Sequence, residues 1–169
     1  MIVSRFEEAF KLLRDLQATE TLVYANGLAM LGRWFVRDGR HKEGIDKMRE
    51  ALAVLARLPA TEKGVKSETQ TVRCDLADAL VAADGVEEAE QVCTRLLEEV
   101  GGDNVRRGQV LVVLARAKIK TGKSAEAREL LRQTIDLLNR HVPDEPLWLT
   151  RQKGAVPLEA AEALLKEHS

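Results

Sequence analysis

Aromatic residues are scarce in this sequence. Two tryptophans, one tyrosine and three phenylalanines make up 4% of 169 residues, so aliphatic side chains and alanine must build the core. Cysteine is scarcer still. Cys74 and Cys93 stand in patterned segments with no C-x-x-C and no histidine nearby. That argues against a disulfide framework or a cysteine metal site, and for two buried thiols acting as small hydrophobes. No sign of charge dominates: 26 lysines and arginines face 27 aspartates and glutamates, for a net charge of −1. The sequence pI is about 6.3, so no global field draws the chain to nucleic acid or to an anionic membrane. Long apolar runs are missing as well. "TLVYANGLAMLG" is too short and too polar to span a bilayer, and Arg5, Glu7 and Glu8 interrupt any signal-peptide core. The expectation is a soluble cytoplasmic chain with no membrane and no nucleic-acid partner.

What is present is helical periodicity. Alanine, leucine, glutamate, arginine and lysine dominate, and all are good helix formers. Residues 86–100 place Val86, Ala89, Val92, Cys93, Leu96, Leu97 and Val100 at steps of three and four, one apolar helix face. Residues 124–138 repeat the pattern, and so do Phe6, Ala9, Phe10, Leu13 and Leu16 behind a capping box, Ser4-x-x-Glu7. No stretch alternates as a strand does. The patterning predicts helices over 4–17, 20–38, 41–58, 62–83, 86–100, 103–121 and 124–141, with shorter ones near 146–153 and 157–167. Breaks are signalled by Gly39, Pro59 with Thr61, Gly85, Gly101-Gly102 with Asp103, Gly122 and Pro143. Ser124 is expected to cap the helix that follows it.

One segment points elsewhere. From Ala117, "ARAKIKTGKS" reads A-x-x-x-x-G-K-S, the relaxed form of a phosphate-binding loop, behind a strand-like "VLVVLA". A phosphate cradle needs small residues whose backbone N–H groups turn inward. Lys118, Ile119 and Lys120 suit a helix better, and no further strands supply a magnesium-binding acid. Nucleotide binding is therefore not expected. His41, His141 and His168 never share a helix at metal-ligand spacing, and none of the four serines stands in G-x-S-x-G. Paired acids such as Glu87-Glu88 read as solvated faces. The expectation is no enzyme, no cofactor and no metal.

Gly39, Gly85 and Gly122 each separate two helices with almost no loop, at what read as equivalent places. Residues 25–58 contain L-x-x-L-G-x-x-F as Leu28, Leu31, Gly32 and Phe35, followed by Gly44, Met48 and Ala51. In a second copy Leu76-Ala77 and Leu80 precede Ala89, Cys93 and Leu96. In a third, Leu111 and Leu114-Ala115 precede Ala127 and Leu131, with Lys118 in the aromatic slot and Thr134 in the last small slot. The pattern resembles the tetratricopeptide repeat, W-x-x-L-G-x-x-Y with A-x-x-x-F and A. No copy carries the tryptophan, and the copies start near 25, 70 and 108, further apart than the usual 34. The extra length from Pro59 to Lys66 is expected to loosen the superhelix.

The resemblance implies an all-α fold: a right-handed superhelical array of antiparallel helix pairs, an α-solenoid of about seven to nine helices in one domain. It divides into a half-repeat at 4–17, repeats at about 25–58, 70–100 and 108–141, and C-terminal capping helices at about 146–167. Either helix 4–17 is a natural cap or the chain is a fragment of a longer protein. The family's first helices line a groove. Carried onto this chain, the groove slots fall on Asn26, Ala29, Arg33, Val36 and Arg37 in the first copy. Thr71, Cys74, Asp78, Val81 and Ala82 follow in the second, and Gln109, Val112, Arg116, Ile119 and Lys120 in the third. Val36, Val81 and Ile119 form an apolar strip, flanked by Arg33, Arg37, Arg116 and Lys120. Such a groove fits a protein or peptide partner with apolar anchors and acidic flanks. Ala29 and Arg33 stand where chaperone adaptors of the family clamp a carboxylate, so a chaperone tail is not the expected partner. A regulatory or ligand-sensing segment of a larger signalling or transcription protein is the alternative. The related pentatricopeptide mode of RNA binding is disfavoured by neutral charge and irregular spacing. Self-association through helix 4–17 or the last helix stays open.

Overall fold

The computed structural model describes residues 2–141 and 155–168. Among them the chain forms eight helices: α1 (Ile2–Asp15), α2 (Leu22–Arg37), α3 (His41–Leu55), α4 (Val65–Ala82), α5 (Val86–Glu99), α6 (Asn104–Lys120), α7 (Ser124–His141) and α8 (Ala155–Glu167). The helix expected near 146–153, with Pro143, lies outside the described residues. The backbone divides into two compact units, Met1–Ala83 and Asp84–Ser169.

In the first unit α2 and α3 cross closely because two glycines meet. A Cβ on Gly44 would lie 2.7 Å from the Gly32 carbonyl oxygen and 2.5 Å from Val36 Cγ2. The larger side chains pack beside this crossing: Leu28, Leu31, Phe35, Met48 and Leu55 are all buried. Helix α4 packs along α3 and α2, and α1 packs on α2. The α1–α2 joint is aromatic, with Phe10 set edge-on to Tyr24 at a centroid separation of 5.2 Å and lying over Gly27. In the second unit α6 and α7 pair in the same way, α5 lies on α6, and α8 closes over α6 and α7. Val112, Ala115, Ala127, Leu131 and Ala161 form the core there, with Ile119, Leu130, Leu164 and Leu165 around them.

Helix ends carry the register. Gly39 and Gly122 adopt φ of +79° and +74°. The N–H of Arg40 returns to the Phe35 carbonyl at 2.8 Å, and the N–H of Lys123 to the Lys118 carbonyl at 2.8 Å, the hydrogen bonds of a Schellman stop. At the end of α4 the expected glycine is one residue out of place. Gly85 has φ −81° and precedes α5, while Asp84 takes the left-handed conformation at φ 63°. Aspartate is among the few side-chain-bearing residues that tolerate it. Gly39, Asp84 and Gly122 are therefore the equivalent residues, and the register of the three copies follows from them. Gly32, Ala77 and Ala115 coincide in it, as do Gly44, Ala89 and Ala127, and all six are buried.

Three local expectations are corrected. Helix α1 already runs through Ser4, since nothing in Ile2 and Val3 breaks a helix, so Ser4 does not cap it. Helix α4 begins at Val65, behind Gly64 at φ +96°, so Thr61 does not start it. The Lys123 carbonyl accepts the first bond of α7 from Ala127, which makes Ser124 the first helical residue and not the cap. The caps that do form are Thr21, which accepts from Tyr24 N–H at 3.2 Å, and Asp103, which accepts from Arg106 N–H at 3.0 Å.

Candidate functional site

The phosphate-loop match dissolves on inspection of its backbone. Ala117 to Lys120 are the last residues of α6. The N–H groups of Thr121, Gly122 and Lys123 donate to the carbonyls of Ala117, Ile119 and Lys118. Every loop donor that a phosphate needs is already used to end a helix. Lys118 is also spoken for. Its ammonium lies 3.1 Å from the Glu90 carboxylate and 3.3 Å from that of Glu126. Hydrogen bonding to Glu90 first, and then to Glu126, holds its pKa above the ordinary lysine value. A nucleophilic lysine requires the opposite shift. Among the described residues no cluster of three or more His, Cys, Asp or Glu side chains is arranged to hold a metal.

The groove positions sort into two kinds. Cys74, Val81, Val112 and Ala29 are buried. Val36 lies over Gly44 on α3, and Ile119 packs on the core formed with α8. The apolar strip read from the sequence is thus turned largely into the protein, where it joins the first helix of a pair to its neighbours. Apart from exposed Ala82, the positions that remain at the surface are polar. Arg37 and Lys120 are exposed, while Asn26, Arg33, Thr71, Asp78, Gln109 and Arg116 are half-exposed.

In the first unit these polar groups form a ladder between α2 and α4. Asn26, with its amide nitrogen turned toward α4, donates to Glu68 Oε1 at 3.1 Å. Arg33 donates to Asp75 Oδ2 at 2.6 Å, with side chains 37% and 29% exposed. The two rungs are seven residues apart on both helices, two helical turns, so α2 and α4 run parallel with matched phase. Sequence reasoning named Asn26 and Arg33 but missed Glu68 and Asp75, which sit one turn before the groove slots of the second copy. In the second unit Lys120 reaches Asp84 at 2.5 Å, tying the end of α6 to the turn that precedes α5. Thr71 donates to the Ser67 carbonyl within α4. Arg37, one turn beyond Arg33, extends past the ladder into solvent.

No family model matches the chain, and comparison with curated proteins returns no match. Among solved structures, the crystal structure of nearly identical TPR-like repeats from a protein described as a Podosopora anserina kinesin light chain is similar. The match has 20% identity and a TM-score of 0.66, and covers 98% of this chain and 82% of that one. Likeness at that identity speaks to the fold alone, and together with the helix pairs and the matched small residues it gives this chain the all-helical tetratricopeptide-like fold of the α-solenoid class.

Proposed function

We propose that the chain is a non-catalytic protein-interaction module that holds an acidic partner segment along the exposed side of α2 and α4, the first-of-pair helices of its first unit. The observation that carries this reading is the α2–α4 ladder. Asn26–Glu68 and Arg33–Asp75 fix the two helices in phase without burying their polar groups, and Arg37 projects beside them. A preset polar face loses little entropy when a segment docks on it. Arginine supplies the forked donors that a carboxylate prefers. The fold supports the same reading, since tetratricopeptide-like helix pairs serve widely as peptide-binding frames. With the valines and Ile119 packed inward, partner recognition rests on charge and hydrogen bonding more than on apolar anchors. Cys74 and Cys93 are buried thiols not joined in a disulfide, which fits a reducing, cytoplasmic setting.

A charge swap tests it. Arg33→Asp combined with Asp75→Arg keeps the rung but exchanges its ends. Helicity and melting temperature should stay close to those of the wild type, while peptides with acidic flanks, selected from an array on the wild-type protein, should bind roughly tenfold more weakly. Equal binding of the same peptides by the swapped protein would remove the ladder from the binding face.

A further inference from the structure

Helices α5 and α7 both pack on α6 within the second unit, and an open trough of about 610 Å3 lies over α6 between them. Its floor is apolar. Leu114 of α6 is buried and Leu130 of α7 is half-buried beside it, with Ala125 and Thr94 on the walls. The rim is acidic. Glu90 stands on the α5 side, and Glu126 and Glu129 on the α7 side. Lys118 is the one cation among the lining residues, so three carboxylates against one ammonium leave two negative charges in excess.

The repeat register accounts for this character. The slot held by Phe35 in the first copy and Leu80 in the second, both buried, falls to Lys118 in the third. Its ammonium reaches the rim and takes one oxygen from each side, Glu90 Oε1 at 3.1 Å and Glu126 Oε2 at 3.3 Å. Glu129 accepts at Oε1 from the Gln133 amide at 3.1 Å. Each of the three carboxylates therefore keeps one oxygen that meets no donor among the described residues. Glu126 and Glu129 stand three residues apart on one face of α7, a spacing that a forked donor can bridge.

We infer that the trough docks a basic segment of a partner protein, with an arginine bridging Glu126 and Glu129 and a neighbouring aliphatic side chain on the floor at Leu114 and Leu130. Charge complementarity sets the sign: the rim repels an acidic segment and attracts a cationic one. Chemistry favours arginine, whose planar guanidinium donates in pairs and tolerates an apolar surface beneath it. Shape favours a segment over a small amine. An open trough covers one side of a small cation, whereas a chain can lay charged and apolar side chains along it together. The site lies on the second unit and does not depend on the α2–α4 face, where the partner charge is the opposite.

Fluorescence anisotropy of a labelled hexapeptide of alternating arginine and leucine, titrated with the purified chain in low-salt buffer, tests it. The wild type should bind saturably. The same peptide with neutral citrulline for arginine should bind roughly tenfold more weakly, as should the arginine peptide to Glu126→Lys with Glu129→Lys. Both glutamates are exposed, so the helical circular dichroism spectrum should not change. Glu162→Lys with Glu167→Lys on α8 alters the net charge equally outside the trough and should bind as the wild type does. Lys118→Leu removes the competing ammonium and should bind more tightly, and Arg37→Glu on the first unit should have no effect. No saturable binding by the wild type overturns the proposal, as does equal loss in the two lysine pairs or weaker binding by Lys118→Leu. So does arginine amide competing as well as the hexapeptide, which would make the trough a small-cation site. A dimer in sedimentation that Glu126→Lys with Glu129→Lys dissolves would give the trough to a second copy and overturn it too.

Discussion

Gln17 holds a backbone that side chains seldom adopt. At φ 54° it ends α1 by donating its N–H to Arg14, while Ala18 N–H returns to Leu13. Glycine occupies the same conformation without a Cβ penalty. Gln17→Gly should therefore raise unfolding free energy by about 0.5–1 kcal/mol in urea titration, despite adding a glycine. An opposite test lies at the α2–α3 crossing. Gly44→Ala puts a methyl against the Gly32 carbonyl and Val36, and α2 and α3 must part. A loss of about 1–3 kcal/mol is expected, with the melting temperature lowered accordingly. At this scale the sequence was partly legible. Gly39 and Gly122 announce their turns because glycine is the default there. Asp84 hides the third, since aspartate is ordinary in many conformations and the adjacent Gly85 draws attention away from it. Ser4 and Ser124 looked like caps, but a cap depends on where the backbone enters the helix, which their neighbours do not reveal.

Elements were legible because their apolar faces repeat at the helical period. The seven helices expected between residues 4 and 141 all form, with ends shifted by up to three residues. The largest of these shifts surround Pro59 to Gly64, where the chain turns through residues that carry no apolar pattern. What periodicity misses is how one element substitutes for another's contact. Phe35 fills the notch between α2 and α3, with the Arg40 guanidinium 4.1 Å above its ring. Leu80 takes that slot in the second copy and is buried. In the third, Lys118 holds it through Glu90 and Glu126, on a side chain only 17% exposed. An ion pair in such a place adds little over an apolar side chain of similar size. Lys118→Leu should therefore leave the melting temperature unchanged or raise it, while Lys118→Ala should lower stability by about 1–3 kcal/mol through the lost stem and cavity. The raised lysine pKa sets the pH sense. The contribution of Lys118 is complete below the ordinary lysine value and fades as pH rises through the higher folded one. The difference between wild type and Lys118→Leu should accordingly move in favour of the variant in strongly alkaline buffer.

For the molecule as a whole, fold and binding face differ in how far sequence reaches. Balanced charge and few aromatics left an array of aliphatic helix pairs as the economical solution, and the small residues at Gly32 and Gly44 marked where α2 and α3 cross. Transferring groove slots by register found Asn26, Arg33 and Arg37 at the surface of α2, but it placed Val81 and Val112 there as well. The burial of Val112 depends on Ala161 of α8, many residues away, which no local pattern encodes. The proposed binding face is the exposed side of α2 and α4, where an acidic partner segment would lie. Titration of array-selected acidic peptides against Arg37→Glu, with Asp46→Arg on the exposed side of α3 as the control, tests it most directly. Roughly tenfold weaker binding is expected for Arg37→Glu and wild-type binding for Asp46→Arg. Equal loss in both proteins, or none in Arg37→Glu, would contradict it.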